Sequence, residues 1–96
     1  MLNEEAILGT ILKHPYLLLD TDLKPEYFQY VEHQNLLTTM KELHSSGKAI
    51  DLITLLTVGN HEKFGGAGKL NKIQNLANEK KFDSYVSILL DGWRER

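Results

Sequence analysis

Apolar positions recur with the period of an α-helix along almost the whole chain. Near the N-terminus, Ile7, Leu8, Ile11 and Leu12 fall at i, i+1, i+4 and i+5, one side of a helix. Asn3 is placed to cap it, and Glu4 and Glu5 then suit the positive end of the helix dipole. Pro15 ends this helix or opens a short second one, and Tyr16 to Leu19 read as a buried turn. Pro25 stands where a first helical residue would. The clearest helix carries His33, Leu36, Leu37, Met40, Leu43 and His44 on one face. Ser45-Ser46-Gly47 closes it, with Gly47 as the left-handed residue. Asp51 then caps the apolar segment Leu52 to Val58. Beyond a glycine-rich turn, Leu70, Ile73, Leu76 and Ala77 form a further stripe, and Asn78 to Lys81 are a polar break. Phe82, Tyr85, Val86, Leu89 and Trp93 form the last stripe, with Ile88 and Leu90 beside it. There is no repeat, low-complexity tract or linker. The expected fold is all-α: a small orthogonal domain of five or six helices spanning 1–96, with the start of a helical hairpin at its C-terminal end.

A chain of 96 residues is the size of one small domain and can bury roughly two-thirds of the surface it exposes when unfolded. There is no Cys, which excludes disulfides and thiolate metal sites. The apolar runs are too short to span a membrane, and "MLNEEAILG" has no basic region of a signal peptide. A soluble cytoplasmic domain is expected. The net charge of −2 argues against a dedicated DNA-binding module such as a helix-turn-helix regulator. The charge is uneven. Residues 1–47 carry 3 Lys/Arg and 7 Asp/Glu, a balance of 3 − 7 = −4, and residues 48–96 carry 8 and 6, a balance of 8 − 6 = +2. Lys63, Lys69, Lys72, Lys80 and Lys81 read as a solvated face.

Candidate chemistry is sparse. The stretch Phe64-Gly65-Gly66-Ala67-Gly68-Lys69-Leu70 suggests a phosphate-binding loop, G-x-x-x-x-G-K-(S/T). The first glycine of that pattern would fall on Lys63 and the magnesium-binding hydroxyl on Leu70, and Gly59 to Lys63 form no preceding strand. Gly65 and Gly66 are read as a turn. His14, His33, His44 and His61 form no metal-ligand pair at helical spacing and are taken as surface or half-buried structural residues. Glu4 and Glu5 diverge around their helix and form no acid/base dyad. Asp51 is a cap. Gly9 costs its helix roughly 1 kcal/mol against Ala, which points to another element approaching closely there. No catalytic residue, cofactor site or metal site is assigned.

The same residues form a recognisable series. Glu5-Ala6-Ile7-Leu8-Gly9-Thr10-Ile11-Leu12 with Pro15 resembles the opening E-x-x-(V/I)-L-G-x-(I/L)-L…P of the N-terminal domain of DnaB-type replicative DNA helicases. Leu23 to Phe28 resembles its L-x-P-E-x-F, and His33 to Leu43 with Gly47 resembles its next helix. Ile50-Asp51-Leu52-Ile53-Thr54-Leu55 resembles its (V/I)-D-(L/P)-(I/V)-T-(L/V). Gly65-Gly66 fits its GG turn, and Phe82 with Tyr85 fits the start of the following helix. The segment from Thr57 to Gly65 is short for the family, Lys81 replaces an Asn, and Leu37 replaces an aromatic. These departures suggest a divergent member carried by a phage or mobile element.

The resemblance implies an all-helical collar domain that self-associates as dimers within a hexamer and contacts primase and, in some members, a loader protein. ATP hydrolysis and DNA contact would belong to a RecA-like domain beyond this chain, which is then a fragment of a longer protein and not itself an enzyme. A surplus of apolar surface on the last helix makes Ile88, Leu90 and Trp93 the candidate self-association surface. The rival reading is a freestanding helical adaptor, such as a phage factor that occupies a host helicase or primase. Because Lys63 and Leu70 break the phosphate-loop pattern, calorimetry with Mg-ATP is expected to give no binding. Micromolar affinity abolished by Lys69→Ala would contradict this.

Overall fold

The computed structural model describes residues 2–58 and 61–96, and those residues contain six α-helices, three short 3₁₀ turns and no strand. The helices are α1 (Leu2–Lys13), α2 (Leu17–Asp20), α3 (Val31–Ser45), α4 (Leu52–Thr57), α5 (Gly66–Gln74) and α6 (Phe82–Arg94). Gly59 and Asn60, at the head of the stretch read as lacking a strand, lie outside the described residues.

Helix α1 is the axis of the molecule. It is buried from Glu4 to Leu12 and packs chiefly on α6 and α5, with α3 against another side. A helix buried all round needs apolar or paired residues on every face, and Ile7, Leu8 and Ile11 are fully inaccessible. They join Leu36, Leu37 and Met40 of α3, Leu55 of α4, Leu70 and Ile73 of α5, and Phe82 and Leu89 of α6 in one core.

Gly9 sits where α1 crosses α5. A Cβ on Gly9 would lie 1.7 Å from the carbonyl oxygen of Ile73, far inside van der Waals contact. The obstacle is backbone, which cannot rotate out of the way. Next to it, Thr10 is fully buried; its hydroxyl donates to Ala6 O at 2.6 Å and accepts from Asn78 N–H at 2.9 Å. Asn78 in turn accepts from Lys81 N–H at 3.2 Å and so sets the approach to α6.

The helix ends follow local chemistry. Gly47 has φ 74°, Gly47 N–H donates to His44 O at 3.0 Å, and Lys48 N–H donates to Leu43 O at 2.9 Å. Those two bonds satisfy carbonyls that α3 would otherwise leave open. Asp51 caps α4 by accepting from Thr54 N–H at 2.7 Å. Pro25 opens the 3₁₀ turn Pro25–Tyr27. Gly65 and Gly66 have φ 99° and 89°, values that L side chains rarely adopt.

Several expectations are corrected. Helix α1 already includes Leu2, so Asn3 lies inside it and is not its cap. Tyr16 to Leu19 is not a uniformly buried turn: Leu17 and Leu18 are buried in α2, while Tyr16 and Leu19 face solvent. His44 is exposed although it continues the α3 stripe, because that helix runs past the core before it ends. Leu76 and Ala77 lie beyond α5 and are half-buried.

Replacing Gly9 tests the crossing. Gly9→Ala, normally stabilising inside a helix, should here destabilise by about 1–3 kcal/mol, with Gly9→Leu at least as costly. Thermal or urea melts in which Gly9→Ala equals or exceeds the wild type would refute the contact.

Candidate interaction surface

Helix α6 places its side chains about 100° apart per residue. Phe82 and Leu89 face the core, with Tyr85 and Val86 partly buried against it. Ile88 and Leu90 then project from opposite flanks of this buried stripe. Ile88 is 56% exposed, whereas Leu90 is half-buried. Trp93 is also half-buried, with its ring centroid 4.6 Å from that of Tyr27. Tyr27 O also accepts from the Arg96 guanidinium at 2.6 Å. The three residues assigned to one surface are therefore not brought together. Trp93 serves the fold, and Ile88 alone stands clear.

Around Ile88 the structure supplies other partners. Leu2, Ala6, Leu76, Tyr85 and Ile88 line an apolar groove of about 230 Å³ between the start of α1 and α6. Leu2 is 65% exposed. A second hollow of about 150 Å³ adjoins it on the other side of Ile88, reaching Glu4, Gln29 and Arg96. Leu2 and Ile88 thus bring exposed apolar side chains from two helices to one groove, and exposed apolar patches are a feature of partner surfaces.

The floor of this region is held by buried charge. Glu4 and Glu5 stand in the first turn of α1, where their charges suit the helix dipole, and both are only 3% exposed. Glu4 Oε1 accepts from His33 Nδ1 at 2.7 Å, and Glu4 Oε2 accepts from Gln29 N–H at 2.9 Å. His33 is 1% exposed, so it is neither a surface nor a half-buried residue, and its Nε2 has no hydrogen-bond partner. Burial opposes the Glu4 charge. The His33 hydrogen bond, the Gln29 backbone N–H and the His33 charge outweigh it and hold the carboxyl below its ordinary value of 4.5. Glu5 Oε2 lies 4.0 Å from Lys69 Nζ and 3.9 Å from Lys72 Nζ. Lys69 also donates to Glu32 of α3 at 2.9 Å, which holds the Glu32 carboxyl low as well.

These contacts explain the glycine-rich turn. Lys69 folds back over Gly65, where a Cβ would stand 2.5 Å from Lys69 Cδ. Its ammonium is directed at two carboxylates, an arrangement that a phosphate would not share. Lys69 is thus not part of a solvated face. Among the described residues no cluster of three or more His, Cys, Asp or Glu could hold a metal ion, and no helix is long and apolar enough to cross a membrane. The His33–Glu4 pair escaped the sequence reading, but a signal was present. Glu4 is in phase with Ile7, Leu8 and Ile11, and His33 heads the apolar face of α3. A charge on each of two core stripes points to pairing between them.

The comparisons with known proteins agree with this architecture. The family model of the DnaB-like helicase N-terminal domain matches residues 2–91, and the chain belongs to that family. A search of the curated proteins returned no match. Among solved structures, the chain is similar to one described as a DnaB-like replicative helicase and its interactions with primase. The TM-score is 0.88 at 28% identity, over 99% of this chain and 24% of that one. This chain therefore spans about a quarter of the length of that helicase.

The Glu4 environment sets a pH response. A carboxyl held below 4.5 when folded contributes stability that is present above the unfolded value and lost as pH falls through the folded one. Glu4→Gln should flatten the decline of melting temperature between about pH 5 and 3. An unchanged slope would show that the pair does not contribute.

Proposed function

We propose that this chain is the N-terminal assembly and recruitment domain of a hexameric replicative DNA helicase. In this reading its natural protein continues into a RecA-like motor, which hydrolyses ATP and contacts DNA. The domain itself builds the collar and receives primase and, in some settings, a loader. The observation that carries the proposal is the likeness, over 99% of the chain, to about a quarter of a helicase described together with primase. An adaptor that only imitated part of the collar would need just the contact surface; here the likeness extends over nearly the whole chain.

The outward side of α6 supports self-association. Ile88, Leu2 and Leu76 offer an apolar groove that the domain leaves uncovered, and a second copy is the occupant we assign to it. Trp93, half-buried and packed on Tyr27, does not line that groove.

Light scattering over increasing concentration should show reversible dimerisation, reduced by Ile88→Glu and by Leu2→Glu while circular dichroism remains helical. A strictly monomeric protein at about millimolar concentration, where even contacts of about −4 kcal/mol register, would overturn the self-association surface. A reading frame that stops without a nucleotide-binding domain would overturn the helicase assignment itself.

A further inference from the structure

A second groove lies at the other end of α1. Its volume is about 530 Å³, and Leu12, Pro15, Tyr16, Leu19 and Ile50 give it an apolar lining. Leu12 and Ile50 are buried and form its floor, whereas Tyr16 and Leu19 stand 51% and 67% exposed along its edge. It is separated from the Ile88 groove by most of the length of α1, about 15 Å at 1.5 Å per residue. The two can be filled at the same time.

The groove is built rather than incidental. Lys48 on its rim follows the left-handed Gly47, and its backbone is fixed by the Lys48 N–H bond to Leu43 O at 2.9 Å. The Tyr16 hydroxyl donates to Glu79, which also lies 3.8 Å from His14, so the ring is tethered at its far end. Asp51 closes the opposite end with its carboxylate turned to Thr54 N–H. Side chains already held in place lose less freedom when a partner covers them.

The charges on the rim indicate what fits. Lys13, His44 and Lys48 line the groove, and Asp51 is the single acid among its lining residues. Neither Lys13 nor Lys48 has a carboxylate within 4.0 Å among the described residues. Lys13 comes from the half of the chain with a balance of 3 − 7 = −4 and Lys48 opens the half with 8 − 6 = +2, so the fold brings cations from both halves onto one rim. Exposed apolar side chains between unpaired cations complement a segment with the opposite arrangement.

We propose that this groove is a docking site for a short acidic amphipathic peptide segment of a partner protein, which inserts an apolar side chain between Tyr16 and Leu19 and sets carboxylates against Lys13 and Lys48. The site does not depend on the helicase reading, nor on self-association through Ile88.

The test is a titration of the labelled protein with a short synthetic peptide carrying Leu and Phe flanked by Asp and Glu, followed by amide chemical shifts. Saturable shifts at Lys13, Leu19, Lys48 and Ile50 are expected below about 1 mM peptide, weakening as salt is raised. Leu19→Asp and Lys48→Glu should each weaken binding at least about tenfold, or 1.4 kcal/mol, with the helical spectrum unchanged. Ile88→Glu should leave binding as it is. The proposal is overturned by an absence of shifts, by shifts centred on Leu2 and Ile88, or by equal response to a peptide with Lys in place of the acids. It is equally overturned if a DNA oligonucleotide or an anionic vesicle perturbs these residues and the peptide does not.

Discussion

The crossing of α1 and α5 at Gly9 is the constraint on which the rest of this small domain depends. Helix α1 is buried along nearly its whole length, so its neighbours must be placed before any can pack well. At Gly9 the peptide groups of two helices meet with no room for a Cβ. That contact draws Leu70 and Ile73 into the core and brings Asn78 within reach of Thr10. Helix α6 then starts from a fixed point. The apolar core supplies the driving force, but one missing side chain sets the spacing.

Around this crossing, charge is used inside the domain. Glu4 reaches α3 through His33, and Glu5 reaches α5 through Lys69 and Lys72, with Glu32 completing the link between α3 and α5. The adjacent acids diverge around α1, and for that reason they tie it to two different neighbours. A buried carboxylate without a partner is costly, and these pairings are incompatible with α1 rotating or sliding one turn. The buried charges thus select one arrangement among the several that an apolar helix would tolerate.

Much of this was legible in the residues themselves. The periods of α3 and α6, the left-handed Gly47 and the Asp51 cap are local matters, decided within one helical turn. Gly9 was legible as an anomaly inside a strong helix, although its partner was not. The start of α1 was misplaced because Asn3 is a good cap in isolation. The depth at which Glu4, Glu5 and His33 are buried is not a local matter; only their phase with the apolar stripes hints at it. On α6, helical geometry alone separates Ile88 from Leu90, but the pairing of Trp93 with Tyr27 joins residues 93 − 27 = 66 positions apart and leaves no local trace. Much of what sequence missed was a matter of which distant residue answers a given side chain.

The Gly9 crossing also reaches the surface. Leu76 follows shortly after Ile73, whose carbonyl rests against Gly9, and Leu76 is one wall of the groove that Ile88 and Leu2 complete. The separation of those walls is thus dictated by one main chain lying on another, and main chain does not mutate. Substitution can recast the lining at Leu2, Leu76 and Ile88 but leaves the width as it is. Related domains with different partners should therefore differ in what their grooves are made of far more than in how wide they are.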